Sequence, residues 1–209
     1  TWKDKLSDYE IKEWNEDNFD VNAYEFTRSA YANKKWAFVA DYARFIVLQK
    51  YGGIYLDTDM YVVRSFDNLL NQKMIIGYED KTHVSAGIIG CQANNEYISD
   101  CLNVYNKITT LVPIPKILTE VHKQKDYGFT PMPVNYFYPF TAENIKNFTG
   151  NNTPMETYAV HMWNYSWGHP LNKLAKKLGL HRMIVKVLDT FKVKEIGRAS
   201  CRERVSSPV

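Results

Sequence analysis

The sequence lacks the features that would mark a membrane, repeat or modular protein. Its 209 residues contain no run of about 18 or more apolar residues, the length needed to span a bilayer. The first residues, TWKDKLSDYEIKEW, have no apolar core of the kind found in signal peptides. Internal repeats, low-complexity linkers and charge blocks are also absent from the sequence. We therefore expect a soluble protein with one domain over residues 1–195.

Cysteine is scarce and the net charge is small. Cys91, Cys101 and Cys201 share no metal-binding spacing, and an odd, sparse count disfavours a disulfide framework, so reduced thiols in the cytoplasm are expected. The 26 basic and 23 acidic residues give a formal charge of +3 and are spread along the chain, which disfavours a nucleic-acid partner. A nucleotide would therefore be bound by a defined site rather than by bulk charge.

The C-terminal part of the sequence divides into two segments. Residues 171–194 have an amphipathic, basic pattern that predicts one or two helices. These would either contact an anionic membrane surface or, as we favour, pack on the domain with the basic face in solvent. Residues 196–209, IGRASCRERVSSPV, have no apolar period and resemble the translated read-through of a sequencing adapter, so a non-native, disordered tail is expected.

Hydrophobic periodicity predicts alternating helices and strands. Helices are predicted over residues 21–31, 36–50 and 96–107, the second of them ended by Gly52 and Gly53. Strands are predicted at 9–14, 53–57, 60–63, 74–77, 87–91, 134–138 and 158–162. This alternation favours an α/β fold with a mixed, mostly parallel sheet flanked by helices.

Two carboxylates follow the apolar strand GIYLD. Asp57 and Asp59 are two residues apart, so in extended geometry both side chains point to the same side. Such a pair is unfavourable unless a cation or strong donors lie between the two charges, and oxygen ligands favour Mg²⁺ or Mn²⁺. Two solvated turn residues would be the alternative, because the tripeptide is common.

Four segments of the sequence resemble one enzyme family, the family 32-like glycosyltransferases with a DXD sugar-binding region. These segments are ADYARFIVLQKYGGIYLDTDM (40–60), YEIKEWNEDNFD (9–20), VNYFYPF (134–140) and YAVHMWNYSW (158–167). The family includes bacterial capsular and lipopolysaccharide sugar transferases. The resemblance covers about residues 5–168.

This resemblance implies a GT-A nucleotide-binding fold and sugar transfer with retention of anomeric configuration. The expected cofactor is Mn²⁺ or Mg²⁺, and the expected donor is a nucleotide sugar, UDP- or GDP-linked. The acceptor would be a saccharide or a lipid-linked saccharide in bacterial surface polysaccharide synthesis. The expected location is the cytoplasm, with the inner face of the plasma membrane as an option through the basic C-terminal helix.

The resemblance also assigns the catalytic pair. Asp57 would contact the ribose and sugar side of the donor, and Asp59 would be the main metal ligand. Asp41 and Arg44 would bind donor-sugar hydroxyls, whereas the alternative is a helical salt bridge at positions i and i+3. Tyr55 would pack under the nucleotide or merely fill the core.

Further residues are assigned near the end of the matching region. His161 would complete the metal or diphosphate site, as an alternative to a structural histidine beside a strand. Ser166 and Trp167 would cover the diphosphate, or form a packed aromatic and its neighbour. Glu79 and Asp80 could face the acceptor, although solvated turn residues are favoured, and residues 85–87 receive no role.

Two other interpretations remain open. Members of the family usually begin with an apolar strand that this sequence does not contain, so we expect a truncated domain of weak or no activity. That expectation keeps a non-catalytic, degenerate nucleotide-sugar-binding module as the alternative function. A phosphotransferase is disfavoured because Tyr61 stands where such enzymes have Thr or Val after the second acid.

Overall fold

A computed structural model describes residues 1–108 and 111–164 and the backbone of residues 203–208. The described residues form five α-helices: α1 (Trp2–Lys5), α2 (Glu25–Ala32), α3 (Trp36–Tyr51), α4 (Glu96–Tyr105) and α5 (Ile114–Gln124). They also form seven strands: β1 (Tyr9–Trp14), β2 (Gly53–Leu56), β3 (Met60–Val62), β4 (Ile75–Tyr78), β5 (Val84–Cys91), β6 (Ala159–His161) and β7 (Glu203–Pro208). Within these ranges no helix is both long and apolar enough to cross a bilayer.

The strands form a five-stranded sheet in the order β1-β7-β2-β5-β4 and a two-stranded sheet of β3 and β6. Every ladder between these strands is antiparallel, so the prediction of a mostly parallel sheet is wrong for the described residues. The reason is visible between β4 and β5, where residues 79–83 form a tight hairpin connection. A parallel crossover would need a dozen or more residues.

Strand β7 lies between β1 and β2 and pairs with both of them. The expected disordered tail therefore differs from the structure over Glu203–Pro208. Pairing satisfies backbone groups that the facing edges of β1 and β2 would otherwise leave open. The remainder of the tail and the predicted helix over residues 171–194 lie outside the described residues.

Two apolar clusters cover opposite faces of the large sheet. The first packs α3, α4 and α5 against one face and includes Tyr55, and the second packs β3 and β6 against the other and includes Ile54 and Leu56. Side chains of β2 thus alternate between the two clusters, as strand geometry requires. The C-terminal end of β2 consequently lies between the two layers that pack on the opposite faces of the sheet.

Most predicted elements are observed, several of them with shifted bounds: β5, for example, begins at Val84 rather than at residue 87. Strand β1 has the predicted bounds, and α3 extends one residue beyond the prediction. Helix α2 begins only at Glu25, because the Asp20 side chain accepts a hydrogen bond from the Asn22 N–H and favours a turn there. Within the strand predicted at 134–138, Val134–Tyr136 instead form a 3₁₀ turn after Pro133. Helix α5 was not predicted.

The turn that ends α3 depends on Gly52. Its N–H donates to the Leu48 carbonyl at 2.8 Å, and its backbone has φ of 67° and ψ of −155°, a region open almost only to glycine. A Cβ at this position would lie 2.6 Å from the Ala93 nitrogen and 2.9 Å from the Cys91 carbonyl oxygen. The chain therefore needs glycine to pass from α3 into β2.

We expect Gly52→Ala to lower the free energy of unfolding by about 3 kcal/mol, because strain and a backbone clash act together. Gly150→Ala is a matched control: Gly150 also has a positive φ of 94°, but the nearest atom to an added Cβ would be Tyr61 Oη at 3.7 Å. The control should lose only about 1 kcal/mol. Urea unfolding of both variants measures the difference, and equal losses would contradict this explanation.

Candidate active site

The Asp57 and Asp59 motif lies where β2 ends and β3 begins. Asp57 follows the last residue of β2, and Asp59 precedes Met60, the first residue of β3. A tight turn joins them, in which the Met60 N–H donates to the Asp57 carbonyl at 2.9 Å. The two carboxylates therefore stand at the exit of a buried strand, between the two layers of the fold.

His161 reaches this motif through the small sheet. Met60 on β3 pairs directly with His161 on β6. The imidazole Nε2 consequently lies 3.2 Å from Asp59 Oδ1. One ligand atom from each of Asp57, Asp59 and His161 can be chosen so that all three lie within 4.8 Å of one another. A single cation could thus contact all three side chains.

Asp59 is held by hydrogen bonds at several atoms. The Asn164 N–H donates to Oδ2 at 2.7 Å, and the Met162 N–H donates to the Asp59 carbonyl at 3.0 Å. Burial would raise the pKa of Asp59, but the contacts with His161 and Asn164 outweigh it and hold that pKa below its ordinary value. The ionised form, which a metal ligand requires, is therefore favoured.

The His161 ring is oriented by aromatic neighbours. The Trp163 ring packs edge-on at a centroid distance of 4.4 Å, and the Tyr138 ring lies at 5.6 Å. Its Nδ1 is buried and has no hydrogen-bond partner among the described residues. Packing, rather than a hydrogen bond to Nδ1 from this part of the chain, thus sets the direction in which Nε2 points.

Asp57 is oriented from the helical side of the site. Arg44 Nη1 donates to Asp57 Oδ1 at 3.1 Å, and Tyr55 Oη donates to the same oxygen at 2.5 Å. The Arg44 guanidinium also stacks over the Tyr55 ring at 4.4 Å. The Asp57 carboxylate is therefore directed, and its charge partly compensated, before any ligand binds.

Arg44 is buried and makes two further contacts. Its Nη2 donates to Asp41 Oδ1 at 2.8 Å, and its Nη1 donates to the Ala86 carbonyl at 2.9 Å. The helical ion pair of the alternative interpretation is thus present. Binding of donor-sugar hydroxyls by Asp41 and Arg44 stays a prediction.

A shallow apolar cleft, partly open to solvent, lies beside Arg44 and Tyr55. Trp14 and Phe19 form one wall, and α3 forms the other. The Trp14 Nε1 is buried without a hydrogen-bond partner in the described part of the chain. Tyr55, only 1% exposed, fills the first apolar cluster and also lines this cleft. Its packing under a nucleotide stays a prediction.

The sequence did not single out every residue that shapes the site. Tyr138 contacts the His161 ring, and Asn164 supplies a backbone donor to Asp59. The Asn164 contact depends on β3 pairing with β6, and the Tyr138 contact follows from the hydrogen bond that the His161 N–H donates to the Phe137 carbonyl at 3.2 Å. No local sequence pattern near either residue encodes these long-range contacts. Ser166 and Trp167 lie outside the described residues, so their predicted diphosphate contacts stay predictions.

Two carboxylates and an imidazole at the exit of a buried strand form a group that could hold a metal ion. Residues 1–76 match the sequence family described as glycosyltransferase sugar-binding region containing DXD motif. The predicted enzyme class is confirmed: the chain carries part of a glycosyltransferase.

Mammalian relatives agree with this class. Lactosylceramide 4-alpha-galactosyltransferase of Mus musculus is 31% identical over 163 residues, covering 67% of this chain and 45% of the relative. The Rattus norvegicus enzyme of the same name is 30% identical over 148 residues, 60% of this chain and 40% of the relative. The Homo sapiens enzyme is 28% identical over 148 residues, 60% of this chain and 41% of the relative. The chain thus spans less than half the length of these three relatives.

A solved structure described as PaToxG Glycosyltransferase is 22% identical, with a TM-score of 0.39, over 46% of this chain and 38% of that chain. A TM-score this low leaves the fold to be described by its own topology, a mixed arrangement of helices and antiparallel strands.

The buried carboxyl of Asp41 should make the free energy of unfolding depend on pH. Burial raises the pKa of its carboxyl to about 6, Asp57 adds to the shift and Arg44 opposes it. Because the folded pKa lies above the unfolded value, the charged carboxyl costs stability increasingly as pH rises from about 4 to about 6, and fully above that. The free energy of unfolding of Asp41→Asn minus that of wild type should therefore grow by about 2 kcal/mol between pH 4.5 and 7. Denaturant titrations measure this, and a constant or falling difference would contradict the shift.

Proposed function

We propose that the chain is the donor-binding part of a metal-dependent glycosyltransferase with a GT-A fold. It would move a sugar from a nucleotide-sugar donor to a saccharide or glycolipid acceptor with retention of configuration. The observation that carries the proposal is the convergence of Asp57, Asp59 and His161 within 4.8 Å. The retention of configuration rests on the family resemblance of the sequence.

The donor set fits a divalent cation. Two carboxylates supply hard oxygen ligands, and the imidazole of His161 shifts the preference from Mg²⁺ toward Mn²⁺. The depressed pKa of Asp59 keeps that ligand charged. A cation bound here would neutralise the departing nucleoside diphosphate as a Lewis acid, which is the chemistry that a sugar-nucleotide donor needs.

The protein groups around the trio of Asp57, Asp59 and His161 would bind and orient the donor. The apolar cleft between Trp14 and α3 opens beside Arg44, so a nucleoside lying there would have its diphosphate directed toward Asp57 and Asp59. Aromatic and aliphatic walls suit a base and ribose better than they suit phosphate. Arg44 holds Asp57 in place while the donor binds.

The relatives suggest which substrates to test first. Their printed name indicates a galactosyl donor and a lactosyl acceptor, so UDP-galactose is the first donor to test, with a GDP-linked sugar as the comparison. A role in bacterial surface polysaccharide synthesis, a cytoplasmic location and membrane contact through residues 171–194 remain proposals drawn from the sequence.

We expect Asp59→Asn to weaken Mn²⁺ binding by at least about tenfold, because the variant loses a charged ligand that also pairs with His161. Mn²⁺-dependent hydrolysis of UDP-galactose should fall by roughly a hundredfold or more. Isothermal titration with MnCl₂ and a nucleotide-release assay measure the two quantities.

Asp126→Asn is the matched control, because Asp126 is exposed and the asparagine can still accept the hydrogen bond from the Gly128 N–H. It should retain both properties. Unchanged Mn²⁺ affinity in Asp59→Asn would contradict the metal site. Mn²⁺ binding by wild type without hydrolysis of any nucleotide sugar would favour the non-catalytic binding module.

A further inference from the structure

Glu79 lies on the opposite side of the site from the apolar cleft. It follows β4, and its N–H donates to the His83 carbonyl at 3.0 Å in the hairpin to β5. Asp80 fixes this hairpin by accepting hydrogen bonds from the N–H groups of Thr82 and His83 at 2.7 and 2.8 Å. These hydrogen bonds therefore hold the backbone of Glu79 in place.

Residues of β5 next to this hairpin lie beside the trio of Asp57, Asp59 and His161. An added Cβ at Gly87 would lie 2.8 Å from Tyr138 Oη, 3.1 Å from Met60 Sδ and 3.5 Å from His161 Cδ2. The Gly87 carbonyl also accepts the Asp57 N–H at 2.9 Å. Strand β5 thus borders the trio on the face that carries β3 and β6.

Ser85 connects Glu79 to this border. Ser85 is buried and lies two residues before Gly87 on β5. Because Tyr78 pairs with Val84, the next residues, Glu79 and Ser85, lie on the same face of the hairpin. Gly77, two residues before Glu79, faces Phe137 in the second apolar cluster. Alternation along both strands therefore directs Glu79 to the His161 side of the sheet.

Glu79 is half-buried. Burial raises the pKa of its carboxyl and the neighbouring Asp80 adds to the shift, while Ser85, His161 and His83 oppose it. A partly desolvated carboxylate of this kind binds hydroxyl donors strongly. By contrast, Asp80 is exposed and its carboxylate is occupied by its own hairpin.

The apolar cleft and Glu79 lie on different sides of Asp57, Asp59 and His161, and this arrangement indicates which substrate contacts Glu79. Arg44 and the cleft adjoin Asp57 from the α3 side, which suits the nucleoside. A diphosphate held at the trio leaves the Glu79 side for the molecule that receives the sugar. Resting on the proposed function, we propose that Glu79 binds the saccharide acceptor by accepting a hydrogen bond from one of its hydroxyl groups.

The test separates acceptor use from donor chemistry. In Glu79→Gln, Mn²⁺ affinity and acceptor-free hydrolysis of the nucleotide sugar should stay within about twofold of wild type, while the acceptor KM rises about tenfold or more. The acceptors are a panel of free saccharides: lactose, galactose, glucose and N-acetylglucosamine. Glu120→Gln, on the exposed face of α5, is the matched control and should change neither quantity.

A second variant distinguishes a loss of acceptor binding from a purely structural effect of the Glu79 substitution. Ser85→Ala keeps the Glu79 charge but removes a hydroxyl on the same face of the hairpin, and it should raise the acceptor KM by a smaller factor, about threefold. Hydrolysis and transfer falling in parallel in Glu79→Gln would overturn the assignment, as would an acceptor KM within twofold of wild type.

Failure of the proposed function is distinguishable from failure of this assignment. Wild type without Mn²⁺-dependent hydrolysis contradicts the proposed function. Acceptor binding is then read directly by saturation-transfer NMR with the same saccharides in the presence of UDP and Mg²⁺. Weaker binding by Glu79→Gln than by wild type supports the assignment, whereas equal binding, or no binding of any saccharide to wild type, overturns it.

Discussion

The antiparallel pairing of β3 with β6 is the constraint on which the site depends. It joins Met60 to His161, about half the described chain apart, and so brings an imidazole beside a carboxylate that a local turn has already positioned. The same pairing carries the Asn164 N–H to Asp59. Without this small sheet, Asp57 and Asp59 would be an acidic turn with no third ligand.

The remainder of the fold holds the trio between two different environments. On the α3 side, Arg44 and Tyr55 orient Asp57 beneath an apolar cleft. On the other side, β5 approaches closely, so that a Cβ at position 87 would lie 2.8 Å from Tyr138 Oη, and Tyr138 packs against His161. This division gives a physical basis for proposing that the nucleoside binds on the α3 side of the trio and the acceptor on the β5 side.

The sequence predicted the local features well and the long-range ones poorly. Strand β1, helix α3, the glycine turn and the acidic pair follow from periodicity and spacing over a few residues, and each is present. Strand direction could not be read this way, because hairpins and crossovers differ in connection rather than in strand pattern. The family resemblance indicated His161, whereas Tyr138 and Asn164 contact the site only through long-range hydrogen bonds and strand pairing. The site roles of Ser166 and Trp167 stay predictions.

The central claim is that His161 and the two aspartates bind one divalent cation. Electron spin echo spectroscopy of stoichiometric Mn²⁺ bound to the full chain with UDP tests this most directly, because the modulation reports nitrogen bonded to the metal. We expect coupling to one imidazole nitrogen that is lost in His161→Ala and kept in His122→Ala, a control on α5. Bound Mn²⁺ without nitrogen coupling, or coupling that persists in His161→Ala, would contradict it.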